Sequence, residues 1–144
     1  MPGTTKSIDE ALQFFLDNLT SVHWDALLLE LVADDAVMEF PFAPEGRPQR
    51  LNGKREIAPY LDELKKVIRL DEVRLVAMHK TVDPETVILQ AEGKGQAIQT
   101  GRPFHPRYIV VLTFRDGRII RWQDYWNPLA FLTSMGATIT FPSV

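Results

Sequence analysis

The sequence predicts an α+β domain on three observations. Apolar residues recur at helical spacing in three stretches before Leu70, four stretches after it are rich in strand formers, and turn signals separate those four. Helices gathered first and strands gathered afterwards leave the helices to pack on one face of a curved antiparallel sheet. At 144 residues the chain has the length of one domain, and a chain of that size buries roughly two thirds of the surface it exposes when unfolded. No repeat, linker or low-complexity segment divides it, so residues 1–144 are read as one unit.

The elements follow in order. Ser7 and Glu10 have the spacing of a capping box, in which each side chain satisfies a free backbone N–H at a helix start. The first helix then carries Ile8, Leu12, Phe15, Leu16 and Leu19 on one face. A second stripe, Trp24, Leu27, Leu28, Leu31 and Val32, ends at Asp34-Asp35, which suit a turn better than a helix C-terminus. Residues 36–42 read as a short strand, and the Pro/Gly-rich loop 43–50 after it is placed to rim a pocket. Asn52-Gly53 turns into a third helix with Ile57, Leu61, Leu64 and Ile68 at helical spacing, Pro59 being expected near its start. Stretches 73–80, 86–97, 102–114 and 118–126 form an antiparallel meander, with a bulge expected at Gly93 and Gly95. Residues 128–135 close one side as a short helix or coil.

Composition excludes several classes. With 45% hydrophobic and 24% charged residues the chain is globular rather than disordered. A net charge of -3 with interspersed signs offers no basic stripe for nucleic acid. Lys54, Lys65, Lys66 and Arg69 are diluted by Glu56, Asp62 and Glu63 and read as a solvated helix face. Without cysteine there is no disulfide, thiolate metal site or thiol nucleophile. His23, His79 and His105 are too scattered to pair as ligands, so no metal is expected. Gly93-Lys94-Gly95 lacks the further glycine and following helix of a dinucleotide loop, so no cofactor is expected. No apolar run approaches the ~20 residues that span a bilayer, and the N-terminus lacks the pattern of a secretory signal, so a cytoplasmic location without membrane contact is the default.

The hairpin around Arg115-Asp116-Gly117 decides which residues look inward. A two-residue turn puts Trp122, Asp124 and Trp126 on a face with Arg107, Ile109 and Val111. A three-residue loop with Gly117 as a bulge puts the same trio with Tyr108, Val110 and Leu112. The second closure is favoured because it sets Tyr108 opposite Asp124, where a phenol can donate to a carboxylate held between indoles. In the first closure Arg107 would pin the acid as an anion. Among tyrosine and tryptophan, desolvation raises its pKa toward a range useful for proton transfer.

The stretches Trp24-Asp-Ala-Leu-Leu28, Ala33-Asp-Asp-Ala-Val-Met-Glu-Phe-Pro-Phe42, Asn52-Gly-Lys-Arg-Glu-Ile57 and 114–129 together resemble the nuclear-transport-factor-two-like superfamily, in particular its SnoaL-like, ketosteroid-isomerase-like branch. The resemblance spans nearly the whole chain and implies a cone-shaped (cystatin-like) barrel, with three N-terminal helices packed on a strongly curved antiparallel sheet around one small-molecule pocket. It does not imply steroid isomerisation. Phe40 falls where those isomerases carry their base, Val110 where they carry a protonated acid, and Phe14-Phe-Leu16 where they carry a helix tyrosine. Asp83-Pro-Glu-Thr86, Glu92-Gly-Lys-Gly95 and 116–124 are also similar to phenazine-biosynthesis A/B proteins, whose pocket acid corresponds to Asp124 and whose helix-three histidine falls on Tyr60. SnoaL-like polyketide cyclases use a pocket acid for proton transfer, which is the part implied for Asp124.

The expected site therefore has Asp124 as acid/base and Tyr108 orienting it, with Tyr60, Phe40, Trp122, Trp126, Val110 and Phe15 shaping the cavity. The leading expectation is a cofactor-free isomerase or cyclase acting on a small hydrophobic carbonyl or cyclic metabolite. The rival from another class is a non-catalytic carrier of hydrophobic ligands; a pure interaction module stands third. Glu39, set opposite Met38, Phe40 and Phe42 by alternation, reads as a surface or dimer-face acid, and the facing of Glu92 stays open. His23 is expected in the inter-helix turn and His105 near the pocket mouth. Lys6, Arg47 and Arg50 are able to receive an acidic ligand, but solvated charge is the safer reading of all three. Ile109, Val111, Ile119 and Tyr125 are expected to form an outward apolar patch through which the chain pairs as a homodimer.

Overall fold

The computed structural model describes residues 7–143. Helix α1 (Ile8–Asn18) starts at Ser7, whose hydroxyl oxygen accepts from the Glu10 N–H at 3.1 Å. The reciprocal half of the capping box differs from expectation: the Glu10 carboxylate receives the Ser7 hydroxyl rather than a backbone N–H. Ala11, Leu12 and Phe15 are buried by this helix. Helix α2 (Trp24–Leu31) passes directly into strand β1 (Val32–Glu39), so Asp34 and Asp35 lie in the strand rather than in a turn, and β1 ends before Phe42. Both acids are exposed in a bulge between Val32 and Val37. The bulge is held from outside, since Arg115 grips Asp35 at 3.0 and 3.3 Å.

Strand β2 (Arg50–Asn52) pairs with β1 and leads into helix α3 (Gly53–Val67). Gly53 has φ +75, and a Cβ there would sit 3.1 Å from the Asp34 carbonyl oxygen, so glycine suits both the turn and the close approach. Pro59 lies within the helix rather than near its start. It is exposed, where water can satisfy the carbonyl it leaves unpaired.

Strand β3 (Ile68–Lys80) begins as α3 ends, five residues before the expected start at Val73. Strands β4 (Thr86–Ala97) and β7 (Arg118–Trp126) have the expected bounds. The expected strand 102–114 is split into β5 (Pro103–Phe104) and β6 (Arg107–Arg115), because Pro106 has no N–H for the ladder. The meander β3-β4-β6-β7 is antiparallel throughout, and β1 joins β7 in parallel. The sheet thus runs β2-β1-β7-β6-β4-β3, unclosed and curved, in the expected α+β cone, with α4 (Pro128–Ser134) as a fourth helix capped by Asn127. Among the described residues no helix is long and apolar enough to cross a membrane.

The β3–β4 bend differs in its origin from the expectation. The register shifts fall between Leu70 and Glu72 and between Leu75 and Ala77, so the bulged strand is β3. Gly95 stands opposite, where a side chain would collide with the Arg69 carbonyl.

The β6–β7 hairpin combines features of both anticipated closures. Asp116 (φ 53) and Gly117 (φ 74) form a two-residue turn of the type that twists with its strands, pairing Arg115 with Arg118 and Phe114 with Ile119. One step further the register shifts, leaving Ile120 bulged between Ile119 and Arg121. Beyond it Leu112 pairs with Trp122, Val110 with Asp124 and Tyr108 with Trp126. The trio therefore shares a face with Tyr108, Val110 and Leu112 as favoured, but Asp124 stands opposite Val110, not Tyr108. Ile119 also corrects the expected outward patch, for it is buried at 1% exposure against the core. The bulge after it is what returns Trp122 to the inner face.

Gly95→Ala should destabilise the fold by about 1–3 kcal/mol, because the added methyl meets backbone that cannot yield. A urea midpoint unchanged from the parent would contradict that close approach.

Candidate functional site

A cavity of about 150 Å³ opens between the helices and the inner face of the sheet. Strand alternation turns Tyr108 and Val110 of β6 and Trp122, Asp124 and Trp126 of β7 toward it. Phe15 reaches it from α1, Tyr60 from α3, and Phe40 from the end of β1. All eight residues singled out by the sequence thus line one hollow. Its wall is held by aromatic contacts: Phe15 meets Trp122 edge-on at 5.2 Å between ring centres, and Phe40 lies against Tyr60 at 5.0 Å. Phe131, from α4, meets Trp126 edge-on at 5.3 Å and was not anticipated.

Asp124 is the one carboxylate in this lining. It keeps some accessible surface because it faces the hollow, yet its Oδ1 is buried without a hydrogen-bond partner, and so is the Trp122 indole nitrogen. The indole is near enough to counter part of the desolvation, but the two groups do not meet in hydrogen-bond geometry. Burial pushes the Asp124 carboxyl from 3.8 up to about 7. No arginine or lysine forms an ion pair with it among the described residues.

The two phenols hold their protons more tightly than usual. Burial raises Tyr108, helped by the negative charge of Asp124. Burial likewise pushes Tyr60 up to about 12, with Arg47 opposing and Asp124 adding to the rise. No hydrogen bond joins Tyr108 to Asp124, which corrects the expected direct contact: Tyr108 pairs with Trp126, two residues along the strand from the Val110–Asp124 pair.

Arg47, for which solvated charge was the safer sequence reading, instead lines the cavity. It belongs to the loop between β1 and β2, closed by the Phe40 N–H to Gln49 carbonyl bond (2.9 Å) and by Arg47 N–H to Pro44 (3.1 Å). That loop carries the side chain into the cavity wall, where its guanidinium lies 5.0 Å from the centre of the Phe131 ring and its Nε is buried without a partner. The Pro/Gly-rich loop was the available signal, since it was placed at a pocket rim, but its path follows no period that fixes a side chain.

The remaining candidates lie elsewhere. Glu39 pairs with Arg121 at 3.0 Å on the outer face. Glu92 also faces away from the cavity, bridging Arg74 at 2.7 Å and Arg107 at 3.7 Å, and its hydrogen bond to Arg74 holds its carboxyl below the usual range. His23 stands at the N-cap position of α2 without a side-chain capping bond, in the inter-helix turn where it is expected. His79 lies on the outer side of β3 beside Gln90. His105 is exposed in the break between β5 and β6 and borders a shallow groove against α4, not the cavity. Arg50 is exposed and bonds Asn52, while Lys6 lies outside the described residues. Among the described residues no three His, Cys, Asp or Glu side chains gather as a metal site.

Comparison with known proteins gives a consistent result. The SnoaL-like domain family matches residues 12–122, ending short of Asp124. The chain is 41% identical over 109 residues to the uncharacterized protein YesE of Bacillus subtilis (strain 168), covering 76% of this chain and 74% of YesE. It is 33% identical over 109 residues to the uncharacterized PhzA/B-like protein PA3332 of Pseudomonas aeruginosa, covering 74% and 75%. The crystal structure of a presumed isomerase from Bacillus subtilis superposes with a TM-score of 0.84 at 37% identity, over 91% of this chain and 94% of that one.

The raised carboxyl has a consequence for stability. Between the ordinary aspartate value and about 7, the folded state holds a proton that the unfolded state has released, so this group's contribution is complete at low pH and is lost as pH rises through 7. Asp124→Asn should therefore gain stability over the parent between pH 5 and pH 8, by on the order of 1–4 kcal/mol. Urea titrations of both proteins would check this, and parallel stability curves would contradict it.

Proposed function

The chain belongs to the SnoaL-like family, and from that premise we propose that it is a cofactor-free isomerase- or cyclase-type enzyme moving protons on a small hydrophobic carbonyl or cyclic metabolite. The observation that carries the reading is Asp124, an unpaired carboxyl in an aromatic cavity, with a pKa pushed to about 7. A base of that strength is half-ionised at neutral pH and can both take and return a proton. Asp124 removes a proton from a carbon beside the substrate carbonyl, and the protonated acid delivers it to another position. Tyr108, whose phenol keeps its proton, donates a hydrogen bond to the substrate oxygen as negative charge develops there. Trp122, Trp126, Phe40, Tyr60, Val110 and Phe15 exclude water and hold the apolar body.

A non-catalytic carrier is the second reading, favoured by Phe40 and Val110, apolar residues that leave Asp124 without a second carboxyl in the lining. Deuterium uptake from solvent into a panel of small cyclic ketones and enones, read by mass spectrometry, separates the two. The enzyme reading expects exchange that increases with pH and levels above about 7, and that falls about 10²–10⁴-fold in Asp124→Asn. Ligand binding without exchange would favour the carrier, and exchange untouched by that substitution would remove Asp124 from the mechanism.

We also propose that the chain forms a homodimer through the outer sheet face, where Ile109 and Val76 are exposed and Val111 and Tyr125 are partly so. Light scattering after size exclusion at micromolar concentration should give twice the 16.4 kDa chain mass. A monomer would contradict the proposal.

A further inference from the structure

A cation in a dry, apolar wall is costly unless something compensates it. Arg47 is partly in that position: the residue is half-buried, its Nε is buried and unpartnered, it makes no ion pair among the described residues, and its neighbours in the wall are the Phe131 ring and the Tyr60 phenol. The ring face offsets part of the cost. A neutral phenol supplies no counter-charge, and Tyr60 is held neutral by its burial. The opposite charge in the lining, Asp124, forms no ion pair with it, so the cavity holds an acid and a cation separately.

Resting on the reading of this cavity as a small-molecule site, we infer that its substrate is a small, largely apolar carboxylic acid, with the carboxylate on the Arg47 guanidinium and the reacting carbon at Asp124. A guanidinium presents parallel N–H donors that match the two oxygens of a carboxylate. The anionic end is directed to Arg47 and away from Asp124, since two carboxylates side by side repel. Trp126 and Phe131 form a continuous aromatic wall beside Arg47, against which the apolar body lies. Tyr60, next to the guanidinium, donates its hydroxyl to the same carboxylate.

Binding of benzoate, cinnamate and cyclohexenecarboxylate against their amides, followed by the fluorescence of Trp122 and Trp126, tests this. The acids should bind about tenfold or more tighter than the matching amides. Arg47→Gln should abolish that preference while leaving amide affinity within about twofold, and Arg47→Lys, which keeps the charge but not the paired donors, should retain part of it. Equal binding of acids and amides, no acid-selective binding anywhere in the panel, or a preference that survives Arg47→Gln in a variant with native circular dichroism would overturn the inference. The Asp124→Asn variant keeps the two questions apart. Acid preference retained there while exchange is lost supports both readings, whereas acid-selective binding in a parent protein that exchanges nothing leaves the carboxylate site standing and removes the proton transfer.

Discussion

The bulge at Ile120 sets the facing of the whole inner wall. Below it, Phe114 and Ile119 close the core at the hairpin end. Above it, Trp122, Asp124 and Trp126 are returned to the same face, while Arg121, Gln123 and Tyr125 point outward, Arg121 meeting Glu39 and Tyr125 meeting Phe42. A strand has a side-chain period of two, so pairing without that extra residue would turn either Ile119 or Asp124 to the wrong side. The turn residues Asp116-Gly117 require the tight closure, the cavity requires the trio inside, and one looped-out residue reconciles them.

The cavity's chemistry then follows from desolvation. An aspartate in water is ionised far below neutral pH, but the same group among indoles and phenols, with no cation beside it, gains its proton back near 7. Arg47 enters by a different route, on a loop rather than a strand, and its guanidinium is met by the Phe131 ring instead of a carboxylate. Had the two side chains paired, the acid would be held as an anion and the cation would be neutralised. Keeping them apart leaves both available to a ligand.

Much of this was legible in the sequence because it depends on parity and period. Strands β4 and β7 have the anticipated bounds, since alternation and turn residues mark both ends. The eight cavity residues were found because a strand position fixes a face and a helical stripe fixes a side. What failed depended on junctions. Helix α2 runs into β1, and α3 into β3, without any loop residues to signal the change. The hairpin sequence fits two closures, and a bulge displaced from the turn realises parts of both; this reverses Ile119 and sets Tyr108 two pairs away from Asp124. The sequence allowed Arg47 an acidic ligand but favoured solvated charge, because a loop has no period to place its side chain in the cavity.

The proposed proton transfer depends on the protonation of one carboxyl, that of Asp124. Carbon-13 NMR of the aspartate side-chain carboxyls across pH, with Asp124 assigned by its loss in Asp124→Asn, measures it directly. A midpoint near 7 is expected. A midpoint close to the ordinary aspartate value of about 4 would mean that the group is solvated or paired, and would contradict the account.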